Sequence, residues 1–162
     1  MANVYGDFIF VGNGGLCFAE ISVVSNSTET AIAVAGTAVQ VTIFNTDGPS
    51  NNATPDHTND HITITKAGMY FIAVSATVNS VSGLSSKFEM TVQKNNGAAD
   101  VGALHCDRNI AGGGGVAGVI SMSGLADLAA ADTIEVWIEN ESNTANYIVE
   151  DITLTVMQLG GT

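Results

Sequence analysis

Hydrophobic and polar residues alternate with period two along most of the chain. The clearest case runs from His61 to Val78. Ile62 and Ile64 alternate with Thr63 and Thr65, and Lys66-Ala67-Gly68 reads as a turn. Tyr70, Ile72, Val74, Ala76 and Val78 then alternate with Met69, Phe71, Ala73, Ser75 and Thr77. A period of two sends successive side chains to opposite faces of a strand, and Thr, Ile, Tyr, Phe and Val suit a pleated, half-buried surface. Because Met69 and Phe71 fall on the second face, the longer strand is expected to be covered on both sides near its start.

The same reading extends in both directions. Val4 to Val11 is β-prone, with Tyr5, Phe8 and Phe10, and a turn at Gly12-Asn13-Gly14-Gly15 leads to a strand over Leu16–Val24 packed through Leu16, Phe18, Ala19 and Ile21. Residues 1–30 therefore read as an N-terminal β arm or hairpin. Between 31 and 44 the parity changes, from Ile32 and Val34 to Val39, Val41 and Ile43, with Gly36 between them as a bulge or break. Residues 45–60 hold both prolines and many Asn and Asp, which make local side-chain-to-backbone turns, and read as a loop. A second loop is expected over 79–86. Lys87–Lys94 is a strand with Phe88, Met90 and Val92 inward, followed by a tight turn at Asn95-Asn96-Gly97. Further strands are predicted over Val101–Ile110 and Val116–Leu125, with one helical turn over Ala126–Ala131. Asp132–Asn140 sets Ile134, Val136 and Ile138 against Thr133, Glu135, Trp137 and Glu139. After Tyr147-Ile148-Val149, the segment Asp151–Leu159 closes the chain with Ile152, Leu154 and Val156 inward. Short strands separated by turns predict an antiparallel sandwich or barrel over residues 31–162.

Composition narrows the functions open to such a domain. Sixteen acidic residues face only Lys66, Lys87, Lys94 and Arg108, for a net charge of −12. A nucleic-acid partner needs a basic footprint, so none is expected. No apolar run reaches the roughly 18 residues of a membrane helix, and the opening MANVYGDFIF lacks the basic segment of a secretory signal. Three lysines are few for guarding sheet edges, so closure, loops or neighbouring subunits are expected to cover them. Cys17 and Cys106 have no metal or redox spacing; two isolated thiols and one disulfide both remain open.

Candidate chemistry is sparse. In Asp56-His57-Thr58-Asn59-Asp60-His61 the side chains of Asp56, His57 and Asp60 are of ligand type, and an oxygen-rich set suits calcium better than zinc. Histidines at i and i+4 converge only on a helix, however, and this segment reads as an Asx-turn loop. No cofactor is therefore expected, with calcium as the alternative. His105, Cys106 and Asp107 alternate faces and cannot form a nucleophile–base pair between neighbours. Gly112–Gly115 lacks the Gly-Lys-Ser/Thr of a phosphate loop. Glu135 and Glu139 share a face but have no nameable strand-mate acid for glycoside hydrolysis. The expectation is a non-enzyme. Trp137, Tyr147, Met157 and Leu159 fall outside the inward sets, and aromatic and Met side chains are enriched at subunit interfaces. They are candidates for one.

In this order the motifs resemble the jelly-roll family of tumour necrosis factor and the globular head of complement component one, subcomponent q. The matching pieces are Ile62-Thr-Ile-Thr-Lys-Ala-Gly68-Met-Tyr70-Phe71, Phe88 to Gly97 ending in Gln93-Lys94-Asn95-Asn96-Gly97, Leu128 to Trp137, and Asp151 to Leu159. Ala131 stands where the family usually has glycine. GTAVQVTIFNTDGPSNNATPDHTNDHITI, AGGGGVAG and DITLTVMQLG resemble more closely the small virion proteins of tailed bacteriophages that carry this domain. The resemblance implies an antiparallel jelly-roll β-sandwich assembled as a homotrimer on the exterior of a phage particle. Such a protein decorates the capsid or forms a head fibre, bound to the major capsid protein or another virion protein. In that frame Met69 and Phe71 join the interface candidates, and Tyr5, Phe8 and Phe10 become candidates for capsid attachment. The alternative the resemblance allows is a fibre tip that binds a receptor or a host surface glycan, through loops 45–60 and 111–116.

Overall fold

The structure is a computed structural model and describes residues 15–113 and 115–161. Among these residues there is no α-helix. Eleven strands follow one another: β1 (Phe18–Val23), β2 (Val39–Gln40), β3 (Thr46–Asp47), β4 (Ala53–Asp56), β5 (His61–Ile64), β6 (Gly68–Ser80), β7 (Ser86–Lys94), β8 (Ala99–Ile110), β9 (Val116–Leu128), β10 (Thr133–Asn140) and β11 (Tyr147–Gly161). They form two antiparallel sheets, one in the order β3-β1-β11-β6-β9 and one in the order β4-β5-β10-β7-β8, with β2 added to the far part of β10.

The alternation read from the sequence fills the space between the sheets. From β6 come Tyr70, Ile72, Val74, Ala76 and Val78. Ile62 and Ile64 of β5, Phe88, Met90 and Val92 of β7, and Ile134, Val136 and Ile138 of β10 meet them, all essentially without solvent exposure. Phe88 and Tyr147 meet edge to face, with ring centroids 5.8 Å apart, a favoured aromatic geometry. At one side of the sandwich, Phe18 bridges to Asn51 and the Cys17 thiol donates to the Asn52 carbonyl at 2.5 Å.

Several expectations change. Strand β1 is not part of an arm. It pairs along its whole length with β11, and Cys17, Ala19, Ile21 and Val23 lie in the core. The domain therefore begins before residue 18 rather than at 31, and Leu16 is exposed instead of packed. Residues 31–44 form only the two-residue β2, because their backbone is held by scattered bonds such as Gly36 N to Asn140 O and Val41 N to Val136 O. The loop 45–60 contains β3 and β4, and Pro55 is tolerated because β4 is an edge strand. In place of a helical turn at 126–131, β9 runs on to Leu128. The two cysteines are both free thiols.

Tyr5, Phe8 and Phe10, the attachment candidates, lie outside the described residues.

Candidate docking face

Each sheet has one face on the core and one facing out. On the five-stranded sheet the outward face is ordered by register. Phe18 of β1 stands opposite Met157 of β11, Met157 opposite Phe71 of β6, and Phe71 opposite Leu125 of β9. Four large apolar side chains thus form one row across four strands, at cross-strand distances that bring side chains into contact. Met157 and Leu125 are 40% and 59% exposed, and Phe18 and Phe71 are half-buried. Met69 and Leu159, both exposed, flank the row.

Beyond this row the residues of β11, β6 and β9 on this face are small and uncharged for two rows. The next row is Thr155, Ala73 and Ser123, and the one after it Thr153, Ser75 and Ser121. Charges stay at the margins. Glu20 flanks Thr155, whose hydroxyl donates to it at 3.1 Å, Asp127 stands opposite Met69, and Asp151 opposite Thr77. On a chain of net charge −12, an exposed apolar row on a face with few charges is suited to a protein–protein contact.

Four of the six interface candidates therefore meet on one surface: Met69, Phe71, Met157 and Leu159. The other two do not. Trp137 points outward from β10, which belongs to the opposite sheet, and its ring lies against the turn at Gly97, where an added Cβ would come within 2.8 Å of Cζ2. Tyr147 is completely buried in the core. Its misassignment has a definite cause. The register of β11 against β6 shifts between Val149 and Asp151, so Tyr147 and Val149 point inward in one parity while Ile152, Leu154 and Val156 do so in the other. A bulge inserts one unpaired residue and reverses the faces. A second shift, between Gln158 and Gly160, leaves Leu159 unpaired and 52% exposed. Phe18 and Leu125 are the residues the sequence reading did not assign to this face. Their parity relative to Ile21 and Ile120 carried the signal, but only strand order shows that they adjoin Met157 and Phe71.

The metal candidates do not converge. The Asp56 carboxylate accepts from Thr58 N, Asn59 N and the Asn59 amide, at 3.1, 3.0 and 2.7 Å, which is the Asx-turn arrangement. These bonds, the Asn59 amide foremost, hold its pKa below the ordinary value. His57 Nδ1 lies 3.0 Å from Asp47 Oδ2, and Asp60 turns inward to accept from Phe44 N at 3.1 Å. A different group gathers on the outer face of the other sheet. Glu89 shares its surroundings with His105 and Asp107 on one side and with Glu139 and Glu141 on the other, each set with ligand-type atoms within 4.8 Å of one another. Glu139 is thus the strand-mate of Glu89. The Lys87 ammonium already bridges Asp107 and Glu141, at 2.9 and 2.8 Å. Burial raises the Glu89 pKa, with Glu141 adding to the effect. Cys106 packs against the core, and its thiol donates to the Asp107 main-chain carbonyl at 3.9 Å.

No family model matches the sequence, and no curated protein matches it. Solved structures do. Over 91% of this chain and 94% of the other, the fold is similar to Eiger TNF from S. frugiperda, with a TM-score of 0.60. The fold is a TNF-like jelly roll. Murine APRIL gives a TM-score of 0.57 over 88% of this chain and 99% of that one. Identity is 12% in both cases, so what this TNF-like jelly roll shares with them is its architecture.

Proposed function

We propose that the chain is a non-enzymatic virion protein of a tailed bacteriophage, a homotrimeric jelly roll that decorates the capsid exterior. The observation that carries the assembly part is the row Phe18–Met157–Phe71–Leu125 on a face free of central charge. Three copies meeting through this face would remove the row from water and leave the acidic outer face of the other sheet solvated. Support for the phage setting is the sequence resemblance, and the capsid or another virion protein is the partner it implies. The non-enzymatic part rests on the sequence reading that His105, Cys106 and Asp107 alternate faces of one strand.

The fibre-tip alternative would use loops 45–60 and 111–116. Ile110, before the second, pairs with Ser86 at the start of β7, whereas Asn59 of the first lies beside Asn95 and Asn96, past the other end of β7. Immunogold electron microscopy of purified virions tests the proposal. Labelling spread over the head is the expected result. Labelling only at the tail tip would overturn decoration, and absence from the particle would overturn a virion role altogether.

A further inference from the structure

Strand β10 changes partner along its length. Thr133 and Ile134 pair with Thr63 and Ile62 of β5, while Trp137 and Ile138 pair with Gln40 and Val39 of β2. Two short strands thus end against each other beside Glu135. The gap they leave is a groove of about 410 Å³ lined by Gln40, Asn59, His61, Asn95, Asn96, Thr133 and Glu135. That volume lies within the roughly 300–1,000 Å³ of small-molecule sites. Each lining residue is polar.

These groups are held in place. Glu135, 2% exposed, accepts from Asn96 N and Gly97 N at 3.0 and 3.2 Å and from the Thr133 hydroxyl at 2.5 Å. Asn95 is tied to Asp132 and to Thr133 N. One polar atom of Gln40, Asn59 and His61 is engaged inside the protein: Gln40 Nε2 to Asp60 O, the Asn59 amide to Asp56, and His61 Nδ1 with Asn59 O. That leaves Gln40 Oε1, Asn59 Oδ1, His61 Nε2 and the Asn96 side chain without a hydrogen-bond partner among the described residues. They border one groove and combine donors with acceptors. Preorganised groups of this kind cost little to order on binding.

We infer that this groove binds a neutral saccharide of one or two sugar units. Sugar hydroxyls both donate and accept, which matches the unpartnered atoms of three amides and an imidazole. No Lys or Arg lines the groove, and Glu135 with the net charge of −12 repels phosphate, sulfate and sialic acid. The site is on the sheet opposite the docking face, so it does not depend on the assembly proposed above and stays accessible in that assembly.

Saturation-transfer NMR on the full chain, with lactose, maltose, N,N′-diacetylchitobiose and 3′-sialyllactose as probes, tests this. At least one neutral disaccharide is expected to bind, and sialyllactose less well than lactose. Asn96→Gly, which preserves the left-handed backbone, His61→Ala and Gln40→Ala are each expected to weaken binding about five- to tenfold, the loss of about one hydrogen bond. Unfolding temperatures identify which variants are folded, and the comparison is made on those. Failure of all three neutral probes to bind, undiminished binding in the folded variants, or sialyllactose binding as well as lactose would each overturn the inference.

Discussion

Two single residues show how position in the sandwich outweighs residue type. Tyr147 and Met157 lie on the same strand, but the first is sealed in the core and the second stands on the outer face. Tyr147→Ala is expected to cost about 3–5 kcal/mol, as for other large aromatic truncations, in denaturant unfolding. A loss under about 1 kcal/mol would contradict its burial. Asp60 is a different case. Burial lifts its carboxyl from 3.8 to about 6, against the opposing pull of the Phe44 N–H bond. Between these values the folded state holds the proton more tightly than the unfolded chain does, so this group makes stability fall as pH rises through that window. Asp60→Asn keeps an oxygen for Phe44 N and suits a φ of 56°. It is expected to raise the melting temperature near neutral pH and to flatten the change between about pH 4 and pH 6. Calorimetry at the two ends of the window checks this, and an unchanged slope would count against it.

At the scale of elements, the turn between β7 and β8 is the best-specified local structure. Asn95, Asn96 and Gly97 have φ values of 57°, 60° and 76°, a run that Asn and Gly tolerate and most residues do not. Gly97→Ala adds left-handed strain and a collision with Trp137. It is expected to destabilise by more than about 1 kcal/mol, whereas Glu135→Ala, which leaves the Asn96 and Gly97 N–H donors of the turn without their acceptor, should cost about 1–3 kcal/mol. Thermal or urea unfolding measures both, and a neutral result for either would remove the turn as an anchor. This turn was legible from Asn-Asn-Gly, and the inward sets of β5, β6, β7 and β10 from their alternation. What alternation could not supply is which sheet an outward residue belongs to. Trp137 and Phe71 both read as outward but face away from each other's sheet. Nor does parity survive a bulge, which is why Tyr147 and Leu159 looked alike. Residues 31–44 carried a strand-like pattern that tertiary contacts spread over irregular backbone, and the groove at Glu135 arises from a change of partner that no local pattern encodes.

For the whole molecule, the apolar row makes oligomeric state the decisive measurement. Light scattering at micromolar concentration is expected to give three times the 16.6 kDa subunit mass. Phe71→Glu combined with Leu125→Glu puts two charges into the row and should reduce the particle to a single subunit with its unfolding temperature little changed below the assembly concentration. A wild-type mass of one subunit, or a double variant that still forms trimers, would each rule out this face as the contact.

The place of β11 has a further consequence, for biosynthesis. Phe18 must find Met157, and β11 must also slot in beside β6. A strand from the start of the domain and one from its middle are thus joined through the strand translated after all the others described. While the nascent chain is still emerging, β1 and β6 have no common neighbour, and the five-stranded layer cannot close. Loop-closure entropy over so long a span slows such folding. Until the ribosome has released Tyr147–Gly161, the half-built sandwich exposes the apolar residues of its core, and chaperones or rapid completion of the chain must protect it.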